Sequence, residues 1–389
     1  MRIMIVDDNP VNLIVIEKIL HNAGYRNCVK MASAKEMFEH MLADKPLPGY
    51  EPVDLILLDM MMPEIDGIEA TRRIMRTEKL KDIPVIIVTA LGDSAKLAEA
   101  LDAGATDYVI KPINKTELLA RIRSALRLKS ELDWHKDREK KVQEELELAR
   151  QVQRSVLSDP VDTAKLRIRA SYAPSSELAG DMYAWFAIDE HRYGVIVLDM
   201  MGHGISSSLV CMFIASVMQD AITRRVDPEN VMRELNRYMH RLYNREQFLH
   251  YYFTAIYMVI DTEQRTIDYV NAGHPPGLLV YDSGKVERLA SSTCAIGFFE
   301  TIEVTKHTVA YDEPLRIVMY TDGLQEMIAG DEEEALAILT DVVVREREAD
   351  PTALLDMLVP ENSRERQHDD MCLVVIGTKE GANGDENPH

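Results

Sequence analysis

Four aspartate-bearing segments follow apolar, strand-like runs in this chain of 389 residues, and they suggest its chemistry. Two lie in the N-terminal half, where "RIMIVDDN" ends in Asp7 and Asp8 and "VDLILLDMMMP" contains Asp59. Two lie in the C-terminal half, where "YGVIVLDMMGHG" contains Asp199 and "RIVMYTDGLQEM" contains Asp322. A carboxylate at the end of a buried strand is costly unless a cation or hydrogen bonds compensate its charge. The repetition therefore predicts two separate sites built on carboxylate chemistry.

The N-terminal carboxylates are accompanied by a threonine and a lysine at the ends of two further strands. Thr89 follows "PVIIV", and Lys111 follows "TDYVI". Three carboxylates at one point repel one another unless a cation lies among them, and oxygen ligands suit Mg²⁺. Carboxylate and Mg²⁺ together are also the chemistry of an aspartyl phosphate, in which the carboxylate is the nucleophile. Thr89 can hydrogen-bond a phosphoryl oxygen and Lys111 can offer a positive charge to another.

A second carboxylate set surrounds the C-terminal pair. Asp181 lies in "ELAGDMY", and Asp369 and Asp370 lie in "RQHDDMCLVV". Carboxylates that bridge two divalent cations are a standard arrangement for activating water against a phosphate ester. Neither a phosphate-cradling P-loop nor a Cys or Ser nucleophile motif accompanies them. The set therefore favours metal-assisted phosphoester hydrolysis over the other phosphate chemistries.

Single members of this set are weak signals. Asp322-Gly323 at a strand end is by itself most simply a turn, although Gly180 and Gly323 also permit close backbone approach. The functional interpretation depends on the combination and on its order along the chain.

The elements that must position these residues differ between the two halves. Residues 2–125 alternate five short apolar strands with five helical patterns, which predicts an α/β, doubly wound, parallel sheet. Function in such sheets collects at the carboxyl ends of the strands. After Pro160 the strands are longer and pair through turn-like gaps, which predicts a separate α+β domain. The predicted domains are 1–125, a helical linker over 126–157, a second domain over 158–378, and a disordered tail over 379–389.

One long helix over 114–157 should join the two domains. Twelve positions from 118 to 156 follow a 3-4 spacing and eight of them are apolar, which predicts an imperfect coiled-coil seam. We favour a seam that pairs two chains into a homodimer, because so polar a helix has little else to bury. A solvated helical spacer is the alternative.

Composition limits the function. A net charge of -21 argues against a general nucleic-acid binder, whose surface would be basic. The acidity is compatible with solubility and with local cation sites. The four cysteines show no metal-ligand spacing. The start "MRIMIVDDN" is no signal peptide and no apolar run approaches about 18 residues, so we expect a cytoplasmic protein without a membrane partner.

Residues 2–125 resemble the receiver domain of bacterial two-component response regulators. The motifs that carry the resemblance are "DD" at 7–8, the block "LLDMMMPEIDG", "TA" at 89–90 and "KP" at 111–112. The resemblance implies that Asp59 accepts a phosphoryl group from a sensor histidine kinase. It implies that Asp8, Asp59 and the carbonyl of Met61 bind Mg²⁺ directly and that Asp7 does so through water. It also places Tyr108 at the aromatic switch position and implies a cis peptide between Lys111 and Pro112.

Residues 145–378 resemble the metal-dependent serine/threonine protein phosphatases of the PPM fold, in the bacterial branch of the sporulation stage II and general-stress phosphatases. The resemblance is carried by "ELELARQVQRSVL", "AGDMY", "LDMMGHG", "YFTAIYMVID", "NAGHPP", "IGFF", "TDGLQE" and "DDMCLVVI". It implies two Mn²⁺ or Mg²⁺ ions that are bridged by Asp199 with the carbonyl of Met200. Asp322 and Asp369 would bind one metal, and Asp181 would lie beside it.

Some assignments within this resemblance stay open. Asp369 is preferred to Asp370 as the ligand. His203, between Gly202 and Gly204, and His274 are either acids in the reaction or structural loop histidines. The branch usually has glycine, an acidic residue and serine where this chain has Ala179, Ala184 and Met201; Ala184 weakens a contact behind the ligands.

The resemblances together imply a response regulator in which phosphorylation of Asp59 controls hydrolysis of phosphoserine or phosphothreonine on a partner protein, by resemblance an anti-sigma-factor antagonist. The alternative is a non-catalytic adaptor that uses an inactive phosphatase fold to bind a sigma-factor regulator. A transcription factor is disfavoured because no basic recognition helix follows the receiver-like segment.

Overall fold

The computed structural model describes residues 1–42, 52–90, 94–202, 204–243 and 251–379. The chain folds into two compact units, Met1–Val142 and Gln143–His389. Each unit is described by itself. Residues 380–389 of the predicted disordered tail lie outside the described residues.

The first unit is a parallel sheet covered by helices on both faces. Its strands are β1 (Arg2–Val6), β2 (Asn27–Met31), β3 (Leu55–Asp59), β4 (Val85–Thr89) and β5 (Asp107–Ile110). Its helices are α1 (Pro10–Asn22), α2 (Ala34–Met41), α3 (Gly67–Arg76), α4 (Ser94–Asp102) and the first part of α5 (Lys115–Ser155). The strand order is β2-β1-β3-β4-β5, and every pairing is parallel. This confirms the predicted doubly wound fold.

Alternation along β1 explains the two cores of this sheet. Ile3 and Ile5 join a buried cluster with side chains of α1 and α5, whereas Met4 and Val6 join the cluster under α2, α3 and α4. Successive side chains of a strand point to opposite faces, so both faces of this strand are apolar. Because the strands are parallel, their carboxyl ends, including Asp59 and Thr89, lie at the same end of the sheet.

The second unit is a sandwich of two antiparallel sheets flanked by helices. One sheet contains β8 (Met182–Ala187), β9 (Arg192–Met200), β10 (Phe253–Asp261), β11 (Thr266–Ala272) and β14 (His307–Ala310), in the order β14-β11-β10-β9-β8. The other contains β6 (Val161–Asp162), β7 (Leu166–Ala173), β12 (Gly277–Tyr281), β13 (Val286–Leu289), β15 (Leu315–Tyr320) and β16 (Met371–Thr378), in the order β13-β12-β15-β16-β7-β6. This confirms the predicted α+β phosphatase-like domain.

Helices cover the outer faces of the sandwich. The helices are α6 (Ile205–Arg225), α7 (Pro228–Tyr243), α8 (Asp322–Ile328), α9 (Glu332–Arg345) and α10 (Pro351–Leu358), with a short 3-10 helix at Glu361–Arg366. One buried cluster joins β8–β11 to α6 and α7, and another joins β12, β15 and β16 to α9 and α10. A third fills the space between the two sheets. The short strands β6, β13 and β14 and helix α8 were not predicted from the sequence.

Helix α6 bears on the expectation that no segment of the chain spans a membrane. It has 21 residues and is long and apolar enough to cross a membrane by length and composition alone. Cys211, Ile214 and Met218 of this helix are buried in the core cluster beneath it, so we interpret it as a core helix of the sandwich.

Helix α5 departs from its predicted seam at the C-terminal end. Leu128, Leu132 and Val142 are exposed seam positions, but Gln153, also a seam position, is only 6% exposed. Gln153 hydrogen-bonds the backbone of Ala179 in the same chain. This part of the helix therefore packs on its own domain, and the predicted seam is wrong at Gln153.

Candidate functional sites

The receiver-like unit gathers its three carboxylates into one cluster. The ligand atoms of Asp7, Asp8 and Asp59 all lie within 4.8 Å of one another. The Lys111 Nζ donates to Asp59 Oδ1 at 2.5 Å and to Asp7 Oδ2 at 3.0 Å. Lys111 thus neutralises part of the negative charge, and the remaining oxygens suit a hard cation such as Mg²⁺.

Asp59 has the environment of a reactive carboxylate. It is 6% exposed, and burial raises its pKa while the Lys111 ammonium opposes that rise. The backbone N–H of Met61 donates to Asp59 Oδ2 at 3.2 Å, and Met61 itself is 63% exposed. The carboxylate is therefore held in place while the neighbouring surface remains open.

The other receiver positions lie where the sequence placed them on the sheet edge. Thr89 is buried at the end of β4, next to β3. Tyr108 is partly buried in β5, and the guanidinium of Arg121 lies 5.3 Å from its ring centroid. The peptide between Lys111 and Pro112 is cis, as the resemblance implied.

The second candidate site lies at one end of the sandwich. Asp199 is near the end of β9, and Asp181 immediately precedes β8, whose Met182 pairs with Leu198. Asp369 and Asp370 immediately precede β16. The two sheets meet here, because the Tyr172 hydroxyl at the end of β7 donates to the backbone oxygen of Asp181 at 3.0 Å.

Asp322 is the first residue of helix α8, with Thr321 as the N-cap residue. The simple-turn interpretation of Asp322-Gly323 is therefore wrong. A Cβ on Gly323 would lie 2.2 Å from the backbone oxygen of Asp370. Glycine is needed here because the segment carrying Asp322 packs directly on the segment that precedes β16.

Asp199 is the centre of the carboxylate set. Its carboxyl group interacts electrostatically with those of Asp181 and Asp322. Burial raises the pKa of Asp199 to about 8, and the charges of Asp322 and Asp369 add to the rise. Burial also raises the pKa of Asp181 and of Asp322. Carboxyl groups this close need either a shared proton or a cation between them.

The donor set fits divalent cations. Asp181 is 2% exposed, and its Oδ2 has no hydrogen-bond partner. In the part of the chain that the structure describes, no lysine or arginine pairs with Asp181, Asp199 or Asp322. Among the described residues, only Asp7, Asp8 and Asp59 form a group of three or more such side chains whose ligand atoms all lie within 4.8 Å of one another. The carboxylates of the second site are therefore more widely spread than this cluster.

Asp369 and Asp370 have different surroundings. Asp370 is 1% exposed, and its carboxylate accepts from Ser175 and Gly180. Asp369 is partly exposed, and its charge helps to raise the pKa of Asp199. The charge of Asp370 adds to the same rise, so the two carboxylates differ chiefly in that the oxygens of Asp370 are engaged by Ser175 and Gly180.

Of the two predicted histidines, only His274 lies among the described residues. His203 lies outside the described residues, although its neighbours Gly202 and Gly204 both have positive φ, at 78° and 87°. His274 is buried, and its Nδ1 lies 2.8 Å from Thr254 Oγ1. Burial lowers the pKa of His274 to about 3. His274 is therefore neutral near pH 7, which favours the structural alternative over an acid.

Sequence reasoning missed the residues that hold the carboxylate-bearing segments. They are Gln153, Tyr172 and Ser175, which bind the backbone or the carboxylates around Asp181. The one available signal for Gln153 was weak, because it is one of four polar residues at the twelve seam positions.

Two family descriptions match separate parts of the chain. Residues 3–123 match the response regulator receiver domain, and residues 189–379 match Stage II sporulation protein E (SpoIIE).

Individual relatives agree with this division. The phosphoserine phosphatase RsbP of Bacillus subtilis is 39% identical over 240 residues, which cover 60% of this chain and 58% of RsbP. The DNA-binding dual master transcriptional regulator RpaA of Synechocystis is 36% identical over 126 residues, or 32% of this chain and 49% of RpaA. The chain thus spans between about half and three fifths of these relatives.

A solved structure gives the fold of the second unit. The SiaA-PP2C domain of Pseudomonas aeruginosa has a TM-score of 0.51 and 20% identity, and the match covers 61% of this chain and 97% of that domain.

Proposed function

We propose that this chain, whose residues 3–123 match the response regulator receiver domain and whose residues 189–379 match Stage II sporulation protein E, is a metal-dependent protein serine/threonine phosphatase controlled by phosphorylation of Asp59. The observation that supports the activity best is the set of Asp181, Asp199 and Asp322, whose pKa values are raised and which no lysine or arginine among the described residues pairs with.

The proposed catalytic residues are those that would hold two divalent cations. We propose that Asp199, the carbonyl of Met200, Asp322 and Asp369 would hold the cations. The unpartnered Oδ2 of Asp181 would add negative charge to the same site. When bound, Mn²⁺ or Mg²⁺ ions lower the pKa of water and neutralise charge on a phosphoryl group.

This chain's own residues would prepare the site for that chemistry. Asp181 and Asp322 lie near Asp199, and this grouping concentrates negative charge where the cations are needed. Tyr172 fixes the backbone of Asp181. Gly323 lets the segment of Asp322 approach that of Asp370. The neutral His274 is not available as an acid near pH 7.

The proposed input is transfer of a phosphoryl group from a sensor histidine kinase to Asp59. Asp7, Asp8 and Asp59 would hold Mg²⁺, and Lys111 and Thr89 would contact the transferred group. Buried Asp59 and its bond to Lys111 support this role. A change at Asp59 affects the phosphatase site only if the two states differ in contacts along α5, and the bonds from Gln153 to Ala179 are our candidate contacts.

The proposed substrate is a phosphoserine or phosphothreonine protein. The name of RsbP as a phosphoserine phosphatase supports the residue class. The chemical kind of partner that we propose is an anti-sigma-factor antagonist, and the proposed setting is the cytoplasm. We further propose a homodimer that pairs through the exposed part of α5 around Leu128, Leu132 and Val142.

Hydrolysis of a phosphoserine peptide by the full chain tests the activity. We expect hydrolysis with Mn²⁺ or Mg²⁺, none with a chelator, and a loss of more than about 100-fold in Asp199→Asn, since loss of a ligand should cost more than changes behind the ligands. Absence of hydrolysis with every divalent cation would favour the non-catalytic adaptor.

A further inference from the structure

Asp370 makes an unusual set of hydrogen bonds for a carboxylate beside a proposed metal site. Its Oδ1 accepts from the backbone N–H of Ser175 at 2.7 Å and from Ser175 Oγ at 3.0 Å. Its Oδ2 accepts from the backbone N–H of Gly180 at 2.7 Å. All three donors belong to residues 174–181, which we call the β7–β8 loop. Asp370 thus ties the start of β16 to a loop about half the chain away in sequence.

The β7–β8 loop ends in Asp181, and its last residues are tightly fixed. A Cβ on Gly180 would lie 2.9 Å from the backbone oxygen of Gly202 and 3.2 Å from that of Met200. Since real side chains do not approach backbone so closely, Gly180 packs directly on the segment that follows Asp199. The bond from Asp370 to the Gly180 N–H holds that contact from the other side.

The backbone of Asp370 contacts the remaining carboxylate-bearing segments. Its N–H donates to Asp369 Oδ1 at 2.8 Å. Its carbonyl oxygen lies against Gly323, next to Asp322. One residue therefore touches the segments of Asp181, Asp322 and Asp369.

The same contacts argue against Asp370 as a ligand. Two of the lone pairs that a ligand would use are taken on Oδ1, and Oδ2 accepts a short bond from a buried N–H. Freeing the carboxylate for a cation would leave the N–H groups of Ser175 and Gly180 without partners, which is unfavourable for donors that are withdrawn from water.

We infer that Asp370 is a positioning residue: its carboxylate fixes the β7–β8 loop so that Asp181 and the Met200 carbonyl are held in register, and it does not bind a cation. The role in metal binding rests on the proposed function, but the role in fixing the loop does not.

Asp370→Asn in the full chain tests this inference. The amide keeps one acceptor but turns an N–H₂ group toward one of the former donors. We expect faster exchange of the Gly180 backbone amide hydrogen in metal-free protein, measured by hydrogen exchange. We also expect the same number of bound Mn²⁺ ions as in the unmodified chain, with affinity weakened about 10- to 100-fold.

Two serine variants of the same loop separate positioning from general damage. Ser175→Ala removes one donor to Asp370 and should weaken Mn²⁺ binding about 2- to 10-fold. Ser176→Ala is the control, because Ser176 Oγ donates to the Leu178 carbonyl and not to Asp370; its Mn²⁺ affinity should be unchanged. If Asp370→Asn does not fold, Ser175→Ala still decides the question.

Three results would overturn the inference. Loss of one bound Mn²⁺ ion in Asp370→Asn would make Asp370 a ligand. Unchanged exchange at both Gly180 and Ser175 in that variant, or unchanged Mn²⁺ affinity in Ser175→Ala, would remove the positioning role. The exchange measurement needs neither metal nor activity, so failure of the proposed phosphatase function would leave its outcome readable.

Discussion

The side-chain amide of Gln153 bonds both polar groups of the Ala179 backbone: Nε2 donates to the carbonyl at 2.7 Å, and Oε1 accepts from the N–H at 3.0 Å. Gln153 lies near the end of α5, and Ala179 is two residues before Asp181. The pair thus connects the helix that leaves the receiver domain to the loop that carries a proposed metal-site carboxylate. Both bonds are buried, so their geometry is well constrained.

Gln153→Ala should disconnect helix α5 from the β7–β8 loop. Two buried backbone groups lose their partners, so we expect a loss of about 2–3 kcal/mol in the free energy of unfolding. The ratio of phosphatase rates with and without a phosphodonor should fall toward one. Gln151→Ala is the matched control, because Gln151 is exposed and contacts Glu147 of its own helix. Equal responses of the two variants to the phosphodonor would contradict the role of Gln153.

The raised pKa of Asp199 predicts how pH affects metal-free stability. Its folded-state pKa is about 8, well above the ordinary value near 3.9. The folded state therefore holds a proton that the unfolded state releases, and the associated stability is present below about pH 4 and lost as pH rises through 8. We expect the Tm of the metal-free protein to fall by roughly 5 °C or more between pH 5.5 and 8.

Asp199→Asn provides the control for that pH dependence, because the net charge of -21 also destabilises the protein as pH rises. The variant should have a flatter Tm profile and a higher metal-free Tm at pH 8 than the unmodified chain. A steeper or identical profile would show that Asp199 is not the titrating group.

Stabilisation by Mn²⁺ should increase with pH in the unmodified chain. Cations and protons compete for the same carboxyl groups, so a bound ion recovers more stability at pH 8 than at pH 5.5. Thermal unfolding with and without Mn²⁺ measures this difference. Greater stabilisation at pH 5.5 would contradict a site made of Asp181, Asp199 and Asp322.

Gly323→Ala should damage the phosphatase site by steric overlap. The added methyl group would meet the Asp370 carbonyl oxygen at 2.2 Å, so the segments of Asp322 and Asp370 must move apart. We expect a loss of about 1–3 kcal/mol in the free energy of unfolding and a large loss of phosphoserine hydrolysis. Gly330→Ala is the control, because a methyl group added there, seven residues further on, meets no atom within 4 Å. It should leave the free energy of unfolding and the rate of phosphoserine hydrolysis nearly unchanged. A Gly323→Ala protein that is both active and stable would contradict the close packing of the Asp322 and Asp370 segments.

The sequence predicted most of what depends on regular patterns. Alternating apolar runs predicted the parallel sheet, and longer strands that pair through turn-like gaps predicted the separate α+β domain. Aspartates at strand ends predicted both carboxylate sets. Strands at successive positions of one sheet bring their ends together, so local sequence is informative about such sites.

Sequence was least informative where long-range contacts decide the local structure. Asp322-Gly323, which by itself resembles a turn, is the start of α8, and its segment packs against Asp370. Gln153 fitted a heptad position, but it bonds Ala179 within the second unit. The preference for Asp369 over Asp370 came from the resemblance, because the hydrogen bonds from Ser175 and Gly180 to Asp370 exist only in the folded chain.

The central claim is that the receiver controls the phosphatase through Asp59. The most direct test is the rate at which the full chain hydrolyses a phosphoserine peptide in Mn²⁺, measured with and without acetyl phosphate as phosphodonor. The unmodified chain should change its rate by about fivefold or more. Asp59→Ala should hydrolyse the peptide at one rate in both conditions. An unmodified chain whose rate does not respond to the phosphodonor, although Asp59 is phosphorylated, would contradict the account.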